Sequence, residues 1–139
     1  MGIELCKGVS EYSLRKNGED FFYINGKKSN FRVKEFKCND GSDKILIDDE
    51  LVEKLQIIRS YYGRALIINS AYRTPAYNKK IGGATNSQHC LGKACDIHLN
   101  GIKPADLFEF AKKIGFNGVG LYSWGVHVDT RPNKSYWKG

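Results

Sequence analysis

Residues 87–99 read Ser87-Gln88-His89-Cys90-Leu91-Gly92-Lys93-Ala94-Cys95-Asp96-Ile97-His98-Leu99. From Lys93 onward the residues alternate in character. A strand there places Ala94, Asp96 and His98 on one face and Cys95, Ile97 and Leu99 on the other. Gly92 breaks the pattern just upstream, so a loop can present His89 while the strand presents Asp96.

Upstream, Arg64 to Ala71 (RALIINSA) is short and β-branched, bounded by Gly63 and the Arg73-Thr74-Pro75 turn, and reads as a buried strand. Before it, Leu51, Leu55, Ile58 and Tyr62 recur at helical spacing, with Asp48 or Asp49 to cap the start and Gly63 to end the helix. A short helix is expected over Ala76–Ile81. Downstream, Pro104 to Ile114 carries a second helical pattern, stopped by Gly115. The segment GVGLYSWGVHVDTRP, residues 118–132, reads as two strands around Ser123-Trp124-Gly125. Near the N-terminus, Phe21–Ile24 and Phe31–Val33 flank Asn25-Gly26, the signature of a β-hairpin, read here as an N-terminal decoration. Strands and helices mix without βαβ alternation. The expected fold is therefore α+β, a small antiparallel sheet with flanking helices.

The chain has 139 residues, 41% hydrophobic and 12% aromatic, enough to bury one core, and it lacks repeats and low-complexity linkers. One domain over 1–139 is expected, with a core over about 31–137 and residues 1–30 as an extension. The longest apolar runs, such as Ala65-Leu66-Ile67-Ile68, are far shorter than the roughly 18 residues of a membrane span. The net charge of +7 favours an anionic partner. No helix-turn-helix, zinc-finger or RNA-binding motif accompanies that charge, so nucleic acid is not the expected partner. Cys6, Cys38, Cys90 and Cys95 are too sparse for a disulfide scaffold, and reduced thiols are expected.

His89, Asp96 and His127 stand out as polar residues in otherwise apolar strand or turn contexts. Two imidazoles and a carboxylate are three ligands for a zinc ion with a fourth position open, the composition of a catalytic site. Asp129 lies two residues beyond His127 and so shares its strand face, where it is a candidate general base. A lone histidine is more often structural than ligating. The ordered combination of motifs changes that balance.

The stretches Ser70-Ala71-Tyr72-Arg73-Thr74-Pro75, Gly82-Gly83-Ala84, Ser87-Gln88-His89, Gly92-Lys93-Ala94-Cys95-Asp96 and His127-Val128-Asp129 together resemble the zinc D-Ala-D-Ala metallopeptidases. That family comprises VanX/VanY-type carboxypeptidases, murein endopeptidases and phage endolysins, with the Hedgehog signalling domain as a structural cousin. The resemblance implies a Hedgehog/D,D-peptidase-like site in which His89, Asp96 and His127 hold one Zn2+. It implies that Arg73 faces the substrate carbonyl or carboxylate and that Ser87 lines the pocket. Many relatives carry an acid three residues before the last histidine; here that position is Trp124, read as a wall of the substrate groove. The implied activity is hydrolysis of a peptide bond in peptidoglycan stem peptides or cross-bridges by a monomer. The alternative is a non-catalytic zinc-containing cell-wall-binding module. The distributed lysines suggest added affinity for anionic wall polymers. The first residues, MGIELCKGVSEY, show no signal-peptide pattern. A cytoplasmic product is expected, acting on the wall after lysis or holin release, which points to a phage or prophage origin.

Several neighbours have plainer readings. His98 is a partner behind the site or a surface histidine, Cys95 and Tyr72 are packing residues, and Tyr122 belongs to the core or the groove. Asn78 is expected to fix the turn after Pro75, and Gly82, Gly83 and Gly92 to allow tight loops.

Overall fold

The computed structural model describes residues 5–139. In chain order the elements are β1 (Val9–Ser13), the single turn α1 (Leu14–Asn17), β2 (Phe21–Ile24), β3 (Lys27–Arg32), a 3-10 turn (Val33–Phe36), β4 (Lys44–Asp48) and α2 (Asp49–Tyr62). There follow β5 (Ile67–Ser70), α3 (Pro75–Lys80), a second 3-10 turn (Gln88–Leu91), β6 (Ala94–His98), α4 (Pro104–Lys113), β7 (Gly118–Tyr122), β8 (Gly125–Asp129) and β9 (Ser135–Lys138).

The α+β class is as expected, and the sheet that matters has five strands in the order β5-β6-β8-β7-β9. It is not wholly antiparallel. β9 joins β7 in parallel, a pairing that no turn signal announces because a parallel neighbour arrives by a crossover. β5 begins at Ile67 and forms the sheet edge with both isoleucines only half-buried, so the expected buried strand is an edge strand. Two-stranded pairs β1-β4 and β2-β3 complete the strands. The β2-β3 turn uses Asn25 at φ 50° and Gly26 at φ 78°, the backbone that its dipeptide favours. The hairpin is no decoration: Phe31 and the following Val33 and Phe36 are each only 1% exposed, and Phe22 meets Phe36 edge-on at 5.5 Å.

Both long helices form where the periodicity places them. In α2, Leu51, Leu55 and Ile58 are buried, Asp48 caps the start by accepting from the Glu50 amide, and Gly63 ends it at φ 64°. In α4, Leu107, Phe108 and Ala111 are buried. The sheet side that carries Cys95, Ile97, Val119, Val126 and Val128 is sealed in the core. The opposite side is left for polar residues.

Asp48 ties the two halves of the chain together. Its amide donates to Gly92 O at 2.9 Å, and its side chain accepts from the Thr130 hydroxyl as well as capping α2. At 4% exposure it has no water to replace those bonds. Asp48→Ala removes a helix cap, worth about 1 kcal/mol, and strands a buried hydroxyl at a further cost of about 1–2 kcal/mol. Urea unfolding should show a loss of about 2–3 kcal/mol; a loss below about 0.5 kcal/mol, the size of an ordinary surface change, would disprove the role.

Candidate metal centre

One rung of the sheet carries the site. Ser70 of β5 is in register with Asp96, Asp96 with His127, His127 with Gly120, and Gly120 with Trp137. Because in-register residues point to the same side, the rung puts Asp96 and His127 side by side on the polar face. His89 reaches them from the 3-10 turn, which Ser87 caps by accepting from the His89 amide at 3.2 Å. Gly92, at φ 80°, ends that turn against the backbone of Leu46, where a side chain would collide.

The three residues converge on one point. Asp96 Oδ1 lies 3.3 Å from His89 Nε2 and 3.0 Å from His127 Nδ1, and one ligand atom from each residue lies within 4.8 Å of the others. Each imidazole is anchored at its far nitrogen: His89 Nδ1 donates to Ala71 O at 2.7 Å, and His127 Nε2 to Asp129 Oδ2 at 2.7 Å. Those two acceptors carry no hydrogen, so His89 Nδ1 and His127 Nε2 hold the N–H groups, and the nitrogens facing Asp96, His89 Nε2 and His127 Nδ1, are lone pairs in the neutral rings and donors once protonated. Three electron-pair donors facing one another need a cation among them. A proton on His127 is one that fits, and a divalent metal is the other. The donor set therefore fits a nitrogen- and oxygen-ligated metal such as zinc.

The electrostatics agree. Burial raises the Asp96 pKa, but hydrogen bonds with His127 and His89 outweigh it and hold the carboxyl well below the usual carboxylate range. Burial opposes charge on His127, yet its bonds to Asp129 and Asp96 prevail and raise its pKa. The second Asp96 oxygen accepts from Arg73 Nη2 at 3.3 Å. Arg73 also donates to Ser70 Oγ at 3.1 Å and to Asn78 Oδ1 at 3.2 Å. Asn78 does more than fix a turn. It holds Arg73 with one end and Ala84 O with the other, and a Cβ on Gly83 would collide with it.

Asp129 does not sit where a base in the cleft must. Its side chain is fully buried behind His127, and Arg131 grips it through Nε at 2.8 Å and Nη2 at 2.7 Å. Burial raises its pKa, but the bonds to Arg131 and His127 overcome that and hold it well below the usual range, which makes it a poor proton acceptor. Gly118, in register with Asp129, gives the carboxylate its space; any side chain there would strike it.

A cleft of about 480 Å³ opens over the three residues, lined also by Arg73, Ser87, Trp124 and Trp137. His98 bonds Asn69 across β5 and β6 at 2.8 Å and is not part of the lining. Cys95 and Tyr72 are core residues, and all four thiols are free. Sequence reasoning missed Arg131 and Trp137. The signal for Trp137 was Gly120, since a glycine inside a strand marks close approach by another group, and the Trp137 ring fills that space; Gly118 marks Asp129 instead, and no local signal pointed to Arg131.

In this α+β domain one rung of the sheet and the adjoining 3-10 turn bring two histidines and an aspartate together beneath an open cleft, a donor set that fits a metal ion. The family model for Peptidase M15 matches residues 27–129, and the chain belongs to that family. It is 31% identical over 100 residues to the peptidoglycan L,D-endopeptidase MepK of Escherichia coli, covering 66% of this chain and 54% of that protein. The probable peptidoglycan L,D-endopeptidase MepK of Haemophilus influenzae is 30% identical over 103 residues, 67% of this chain and 55% of the relative. The zinc D-Ala-D-Ala carboxypeptidase of Streptomyces albus G is 31% identical over 67 residues, 48% of this chain and 26% of the relative. The chain thus spans about half the length of the two endopeptidases it matches.

Proposed function

We propose that this peptidase is zinc-dependent and cleaves a peptide bond in peptidoglycan, with His89, Asp96 and His127 as the metal ligands. The observation that carries the reading is the convergence of two oriented imidazole lone pairs and one carboxylate oxygen at the floor of a cleft. An endopeptidase is favoured over a carboxypeptidase because the match to the endopeptidases covers 100 residues against 67.

A zinc ion at this site supplies Lewis acidity towards a substrate carbonyl. The protein's own residues do the rest. Asp129 positions His127 by holding its Nε2–H, and Arg131 holds Asp129 in place. Arg73 uses three of its five N–H groups on Ser70, Asn78 and Asp96, which fixes the guanidinium and leaves two donors for a substrate carbonyl or carboxylate at the cleft. Ser87 holds the turn that aims His89 and lines the cleft beside it.

The test is digestion of purified peptidoglycan, with the released muropeptides identified by mass spectrometry. New amino termini should appear, vanish with a zinc chelator and return on adding zinc. Release that survives complete zinc removal would overturn the zinc dependence. A zinc-loaded protein that binds walls and cleaves no muropeptide would be the wall-binding module instead.

A further inference from the structure

Part of the cleft lining belongs to no step described above. Trp124 sits on the two-residue turn between β7 and β8 and is 46% exposed. It is nevertheless held rigidly. Its ring stacks on Tyr122 with centroids 5.2 Å apart and planes 10° apart. The Tyr122 hydroxyl accepts from Trp137 Nε1 at 2.7 Å, and the Trp137 ring lies across Gly120, where any side chain would collide. Gly125, beside Trp124, packs against the carbonyl of Ile97 with no room for a Cβ. The result is a fixed aromatic plate whose outer ring faces the same cleft as the metal centre.

The rest of the lining includes Asn86, Ser87 and Gln88, which offer amides and a hydroxyl. A flat apolar plate beside hydroxyl and amide groups suits a ring with an apolar C–H face and a polar edge. Aliphatic stem-peptide side chains need no such plate.

We propose that this plate is a subsite for an N-acetylated pyranose of the glycan strand. Its C–H face stacks on Trp124, and its hydroxyl and acetamido groups meet the hydroxyl and amides of Asn86, Ser87 and Gln88 along the polar edge of the cleft. The inference rests on the peptidoglycan reading and adds the sugar to the recognised substrate.

The probe is chitotetraose, a peptide-free chain of β-1,4-linked N-acetylglucosamine, titrated by calorimetry into the zinc-loaded full chain. Saturable binding is expected, weakened about tenfold by Trp124→Ala and within roughly threefold of the parent for Trp124→Phe, which keeps a ring. Far-UV circular dichroism checks that both variants fold. Absence of binding, or equal affinity in Trp124→Ala, would overturn the subsite. The same preparation is assayed on glycan-free cross-linked stem peptides. Cleavage without chitotetraose binding refutes the sugar subsite alone, and chitotetraose binding without cleavage refutes the peptidase reading alone.

Discussion

Asp96→Asn should lower peptide hydrolysis by about a thousandfold or more and leave the fold intact. The change is isosteric, so the β6 register and the core face of Cys95 and Ile97 are untouched. What disappears is the anion. One oxygen of Asp96 faces both histidines and the other faces Arg73, so a neutral amide withdraws charge from every partner at once. Metal-assisted stabilisation of a transition state is worth several kcal/mol, and at 1.36 kcal/mol per factor of ten that is about three orders of magnitude. Zinc content should fall with activity, measured by metal analysis beside muropeptide turnover, with circular dichroism unchanged. A variant that keeps its zinc and more than about a tenth of its activity would show that Asp96 is no ligand.

Asp129→Ala should act on two readouts with separate causes. His127 loses the acceptor at 2.7 Å that sets its tautomer, so zinc affinity should drop about 10–100-fold, as for other partners of metal-bound histidines. Arg131 loses the carboxylate it grips, and breaking a buried pair costs about 3 kcal/mol, the low end of the range because the Arg131 side chain stays 28% exposed. Zinc is measured by competition with a chromophoric chelator and stability by urea unfolding of the metal-free protein. A free catalytic base would behave differently: turnover would collapse while affinity and stability stayed put, and that pattern would restore Asp129 to the cleft chemistry.

Much of the site was legible because its residues are conspicuous locally. His89, Asp96 and His127 are polar groups in apolar strands or turns, and the motifs around them are short and contiguous. Asp129 shows where local reading stops. Alternation correctly put it on the face of His127, yet whether it looks into the cleft or behind the ring depends on Arg131 gripping it and on Gly118 making space. Trp137 was invisible for a similar reason. It joins the site only through a parallel pairing between β7 and β9, which no hairpin turn advertises. Asn78 looked like a turn residue because asparagine after a proline usually is one; its hold on Arg73 exists only once the loop through Gly83 folds over it.

The sequence by itself determined the two faces of β6 and the buried faces of α2 and α4, together with the metal-binding residue types and the caps of α2. Those follow from periods of two and 3.6 residues and from groups a few positions apart. Only the tertiary structure decided that Ser70, Asp96, His127, Gly120 and Trp137 share one rung, that Asp129 supports a histidine from behind, and that three aromatic rings form one wall of the cleft. Strand order and register are set by the joint packing of segments distant in the chain. A one-residue slip would keep every local pattern and send His127 into the core.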